Sequence, residues 1–210
     1  MRIRHIRLAT ALAATGLAIM SCSNSTPGTP TTTDHTINQT TTTAGGTTSH
    51  SPSASTGLSM APRVTNPKNL RGQEACQLLT PQQQKELTFT QPGRQGISEF
   101  GESECEWKND KLGIFLTLDT KRRGLEETYL RKERFPDFTP STVAGHPAVR
   151  SDRNDNLKSC RVSLGVADDQ VLYIDFDRNS AGRSNPEYSD PCGFAEKVGK
   201  MVLDNLPPAR

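Results

Sequence analysis

Four cysteines beyond residue 75, Cys76, Cys105, Cys160 and Cys192, constrain this chain more than any other feature of its 210 residues. A fifth, Cys22, stands alone near the start. The spacing contains no C-x-x-C pair and no cysteine–histidine cluster, which argues against a zinc site. In an oxidising compartment four thiols form two bridges, and the odd fifth needs another fate. What the chain can fold into therefore depends on where it goes.

The first segment answers that. Arg2, Arg4 and Arg7 form a positive start, followed by the uncharged apolar run from Leu8 to Met20, LATALAATGLAIM. A run of that length suits a signal peptide and falls short of the roughly 20 apolar residues a spanning helix needs. It ends in Ile19-Met20-Ser21-Cys22, which resembles the lipobox of bacterial lipoproteins. The resemblance implies diacylglyceryl transfer to Cys22 and cleavage before it, so residues 1–21 are expected to be lost. Two acyl chains hold a protein on a bilayer stably where one does not. The expected address is the extracytoplasmic face of the cell membrane, with the membrane as partner through the lipid.

Residues 22–69 then read as a lipidated cysteine followed by a disordered tether. Pieces such as TPGTPTTT and SPSAST carry almost no large apolar residue, and such a composition cannot offset chain entropy. The low hydrophobic fraction, 32%, averages this polar stretch with an ordinary globular remainder. The formal charge of +2 falls to −1 once Arg2, Arg4 and Arg7 are gone. A near-neutral chain gives no argument for a nucleic-acid partner, whose phosphates require an excess of Lys and Arg.

From residue 70 to 210 a single domain is expected. Gln73 to Leu79 suggests a short helix. Thr80-Pro81-Gln82-Gln83 has the form of a capping box with Pro at the first helical position, so a second helix should run from Pro81 to about Leu87. QPGRQG, residues 91–96, reads as a loop. Ser103–Lys108 and Leu112–Leu118 read as a hairpin, the second strand alternating Leu112, Ile114, Leu116 and Leu118 with Gly113, Phe115 and Thr117. Gly124 to Phe135 reads as a helix, and residues 135–147 as turns. Pro147 to Arg153 reads as a strand. Cys160–Ala167 and Gln170–Asp177 form the next hairpin. Its second strand is apolar on both sides, which places it centrally in a sheet. Asp190 should cap a final helix beginning at Pro191, with Phe194, Val198, Met201 and Val202 on one face. The fold class is α+β: an antiparallel sheet with helices packed on one face.

Four cysteines allow three pairings. Cys160 opens a strand whose hairpin partner ends beside it, and Cys192 follows 15 residues after Asp177. Cys160–Cys192 is therefore cheap to close, and elimination leaves Cys76–Cys105.

These motifs together, C-Q-L-L-T-P from Cys76, C-E-W from Cys105, C-R-V from Cys160 and D-P-C-G-F-A from Asp190, resemble the DUF3558 family of actinobacterial lipoproteins. The resemblance covers the whole chain. It implies a cell-surface location and says little about activity. The element order is also compatible with the PsbP/Mog1 sandwich, an analogy of fold alone.

Candidate sites are few. Lys121, Arg122, Arg123, Arg131, Lys132 and Arg134 read either as a solvated charged face or as a contact surface for anionic lipid, wall polymer or an acidic protein. Asp175-x-Asp177-x-Asn179 has the start of a calcium loop, but Ser180 stands where Gly is needed. Asp152-x-Asn154-x-Asn156 fits less well. His146, the lone histidine after residue 50, sits in an Ala-Gly-His-Pro turn and reads as a surface or packing residue. Trp107 reads as packing on a disulfide. No G-x-S-x-G, S-x-x-K or H-E-x-x-H occurs, so no cofactor is expected and a non-catalytic binding or accessory module is favoured. The alternatives are an envelope-acting hydrolase or transferase, and a small-molecule or lipid capture protein.

Overall fold

The computed structural model describes residues 59–135, 137–152 and 158–209; of Asp152 it describes the backbone only. Seven antiparallel strands form one sheet in the order β1-β2-β3-β7-β6-β5-β4. They are β1 (Arg94–Ile97), β2 (Ser103–Lys108), β3 (Leu112–Asp119), β4 (Thr139–Val143), β5 (His146–Asp152), β6 (Ser159–Ala167) and β7 (Gln170–Arg178). Three α-helices accompany them: α1 (Pro81–Glu86), α2 (Leu125–Leu130) and α3 (Pro191–Asn205).

The strand periodicity divides the sheet into two faces. Ile114, Leu116 and Leu118 of β3 stand opposite Phe176, Ile174 and Leu172 of β7. Those in turn face Cys160, Val162 and Leu164 of β6. All nine are buried in the main core. Over this face lies α3, through Phe194, Ala195, Val198 and Val202. Asp190 starts that helix, its Oδ1 accepting from the Gly193 amide at 2.9 Å, and Pro191 supplies the preset φ of the first turn. Gly199 permits the close approach: a Cβ there would lie 3.0 Å from Ile174 Cδ1. As expected from its two apolar sides, β7 is the central strand.

Both bridges stitch this core. Cys76–Cys105 ties a 3-10 turn, Ala75–Gln77, to β2, and Cys160–Cys192 ties β6 to the first turn of α3. Trp107, 1% exposed, lies beside the first bridge, with Gly93 close over its indole and over Cys105 Sγ. The Thr80–Gln83 capping box forms in both directions, at 3.2 and 2.8 Å.

Several elements depart from the sequence reading. The expected helix over 73–79 is only the 3-10 turn. The loop at 91–96 contains most of β1, an exposed edge strand whose existence rests on pairing with β2 rather than on alternation. The turn-rich 135–147 contains β4, which carries Pro140 as only an edge strand can. The helix expected from Gly124 to Phe135 stops at Leu130 and continues as a 3-10 turn, Lys132–Arg134.

The end of the expected tether also differs. Residues 59–69 are fixed along the domain. Lys68 pairs with Pro208, and the Lys68 amide donates to Val166 O at 2.9 Å. Ser59, Met60 and Ala61 all donate to the Glu126 carboxylate, at 2.7, 3.2 and 2.8 Å. The tether reading 22–69 thus runs too far. Residues 59–69 carry little apolar surface, and acidic side chains of the domain hold them instead. Residues 1–58, with Cys22, lie outside the described residues, as do Asn154 and Asn156.

Candidate functional site

Among the described residues, the second face of the sheet is only partly covered. At one end α2 lies across it, where Leu125, Val149, Val171 and Tyr173 form a small separate core joined by Phe100, Tyr129 and Phe138. Sequence periodicity did not assign α2 to this face. Gly124 sets its start: φ is +57°, and a Cβ would meet Asp168 O at 2.6 Å.

Beside α2 runs a mostly polar ladder across five strands, in which Asp175, Tyr173 and Ser163 are buried and the other side chains are half-buried or exposed. Pairing places Arg94 opposite Glu106, Glu106 opposite Phe115, Phe115 opposite Asp175, and Asp175 opposite Arg161. The neighbouring rung runs Glu104, Thr117, Tyr173, Ser163. Between the rungs opens a groove of about 330 Å³, lined by Glu104, Phe115, Thr117, Arg161, Asp175 and Asp177. A second hollow of about 250 Å³ continues it past Tyr173 and Phe100, sharing Glu104, Thr117 and Arg161.

Arg161 is the centre. Its Nε and Nη2 donate to the two oxygens of Asp175 at 2.8 and 2.9 Å, a bidentate fork. Its guanidinium also lies 5.6 Å from the Tyr173 ring centroid. Burial works against the Arg161 charge, yet the Asp175 hydrogen bonds and attraction outweigh it, so its pKa is raised. Burial likewise raises the Tyr173 phenol, against the opposing pull of Arg122. The phenol oxygen accepts from Arg122 Nη2 at 3.0 Å, and the Arg122 guanidinium stacks 3.9 Å from the Phe100 centroid. Two arginines thus clamp an aromatic pair, Phe100 and Tyr173, whose centroids are 5.8 Å apart. These contacts fix the arrangement of the groove floor. It offers aromatic surface, carboxylates and fixed guanidinium edges, a set suited to holding a polar ligand.

The expected basic surface is only partly one surface. Arg122 points inward: Asp119, fully buried, accepts from its Nε at 2.6 Å. Arg131 pairs with Glu127 at 2.5 Å, and Lys132 lies 3.9 Å from Glu133. Lys121 donates to Gly101 O at 2.7 Å. Arg123, Arg131, Lys132 and Arg134 are exposed around α2. In the calcium-loop candidate both oxygens of Asp175 are engaged by Arg161, and Asn179 donates to Asn109 O at 2.8 Å. Among the described residues no three His, Cys, Asp or Glu side chains converge on a metal position. His146 is buried and opens β5, its Nδ1 3.2 Å from Gly165 O; burial lowers its pKa. Among the described residues no helix is long and apolar enough to cross a membrane.

Sequence reasoning passed over Glu104, Phe115, Arg161 and Tyr173 as site residues. The available signal was an aromatic at an outward position: Phe115 alternates with the buried Leu112, Ile114, Leu116 and Leu118 of β3.

The fold and groove define a disulfide-stapled α+β domain with one packed and one partly open sheet face. The chain matches the family described as "Protein of unknown function (DUF3558)" over residues 17–205, and it belongs to that family. No curated protein and no solved structure matches it. The PsbP/Mog1 likeness accordingly stays an analogy of element order.

Proposed function

We propose that this protein is a lipid-anchored envelope lipoprotein that acts as a non-catalytic binding module, with the open sheet face as its binding surface. Residues 1–21 serve as signal peptide, Cys22 carries the lipid, and the domain works on the extracytoplasmic side. Two disulfides favour that oxidising side. The ligand is a polar component of the envelope, a wall polymer or an extended protein segment, without nucleic acid or cofactor.

The observation that carries this reading is the preset groove around Arg161. Arg161 and Asp175 hold each other in place by a bidentate pair, and Glu104 adds a further carboxylate to the lining, a set suited to holding polar groups. Phe115 contributes aromatic surface without belonging to either core.

Titration of the full chain with soluble cell-wall fragments, followed by NMR, tests the reading. Shifts should concentrate at Glu104, Phe115, Thr117 and Arg161, and Phe115→Ser should weaken binding at least about tenfold while leaving the fold intact. Binding that perturbs α3 instead, or that survives Phe115→Ser unchanged, would sink it.

A further inference from the structure

Among the described residues only three large hydrophobic side chains are conspicuously exposed: Met60, Ile97 and Leu130, at 50%, 72% and 48%. Two of them lie along α2. The Met60 amide donates to Glu126 Oε1, and Leu130 lies one helical turn beyond Glu126. Around them stand Arg123, Arg131, Lys132 and Arg134, all exposed. Of the acidic side chains nearby, Glu133 is exposed and lies 3.9 Å from Lys132, while two others are engaged. Glu126 accepts three hydrogen bonds from residues 59–61, and Glu127 forms an ion pair with Arg131. Burial alone would raise the Glu126 pKa, but those hydrogen bonds lower it.

This is also where the chain arrives from Cys22. Only residues 23–58 lie between the lipid attachment expected at Cys22 and the clasp at Ser59. Even fully extended, they span at most about 130 Å. A domain held that close to a bilayer meets it at high effective concentration, so a weak contact suffices. Apolar side chains ringed by Lys and Arg suit an anionic lipid interface.

We propose that the α2 face, with Met60 and Leu130 inserting and Arg123, Arg131, Lys132 and Arg134 meeting headgroups, docks on the anionic membrane surface. The proposal rests on the lipid-anchor reading of Cys22. It lays the domain down by its α2 end, so that the groove, on the same face of the sheet, opens beside the bilayer surface and α3 faces away from it.

The test is amine footprinting of the full lipidated chain, extracted from its own membrane and reconstituted into vesicles. One set is phosphatidylcholine alone, and the other contains phosphatidylglycerol. Each cation near an anionic leaflet contributes about a fivefold gain in partitioning. Labelling of Lys132 relative to Lys200 on α3 should therefore fall about threefold or more on anionic vesicles only. Met60→Ser with Leu130→Ser should remove the protection; both sites are exposed, so the fold is retained. Flotation in the same sample separates the two readings. A chain that fails to float with either vesicle refutes the anchor. A chain that floats but shows equal Lys132 labelling on both refutes the docking. Equal protection by soluble polyphosphate without vesicles also overturns it, and assigns the face to a soluble polyanion.

Discussion

Replacing Gly124 with alanine should be among the most damaging single changes to the α2 face, and its cost divides into two parts. Gly124 has φ +57° and ψ −139°, a conformation that costs an L residue about 1–3 kcal/mol. The second part is steric. A Cβ would sit 2.6 Å from Asp168 O and 2.8 Å from the Gln170 amide nitrogen. Both are backbone atoms where the β6–β7 turn enters β7, the central strand, and backbone cannot yield like a side chain. Overpacking of this kind costs about 1–3 kcal/mol. The sum is about 2–6 kcal/mol, a large share of the roughly 5–15 kcal/mol that holds a typical domain folded. Gly145→Ala is the matched control, because it has φ +84° with nothing within 4 Å of the added Cβ. It should cost only the backbone strain. Urea unfolding of both variants with disulfides intact measures the difference. A Gly124→Ala loss no larger than that of Gly145→Ala would refute the steric argument.

Removing the second bridge by Cys160→Ser with Cys192→Ser frees a loop of 32 residues and should cost about 3–4 kcal/mol by the chain-entropy model, read by the same urea titration. His146 should make stability depend on pH. Its folded pKa lies below the ordinary 6.5, so the unfolded chain takes up its proton first. Stability is then full above about pH 6.5 and falls as pH drops below that, until the folded form titrates too. His146→Asn keeps a donor for Gly165 O, so its stability should change less between pH 7.5 and 5.5. Asp175→Ala leaves the half-buried Arg161 without its carboxylate and should cost about 1–3 kcal/mol, whereas Arg161→Met with Asp175→Leu should recover most of that in the same measurement.

Where side-chain burial is periodic, the chain declares its structure. The double-sided apolar run of β7 fixed its place at the sheet's centre, and Asp190-Pro191 fixed the start of α3. Edge elements declare less. Arg94–Ile97 is a strand because β2 offers it a partner, and nothing in Arg-Gln-Gly-Ile alternates in burial. Thr139–Val143 hides behind Pro140, which sequence rules read as a turn residue. The open face was the least legible part. Arg122 belongs by composition to a basic run, but the structure turns it onto Asp119, Phe100 and Tyr173. Arg161 and Asp175 lie 14 residues apart and meet only through the β6–β7 register. Cross-strand neighbours of this kind depend on pairing, which single-strand periodicity does not encode.

The central claim is an anchored, two-disulfide module, and intact mass spectrometry of the protein taken from its own membrane addresses it most directly. The account predicts a chain that begins at Cys22, carries a diacylglyceryl mass there, and gains four hydrogens on reduction, two for each bridge. An unlipidated chain, or free thiols at Cys76, Cys105, Cys160 and Cys192 before reduction, would contradict it.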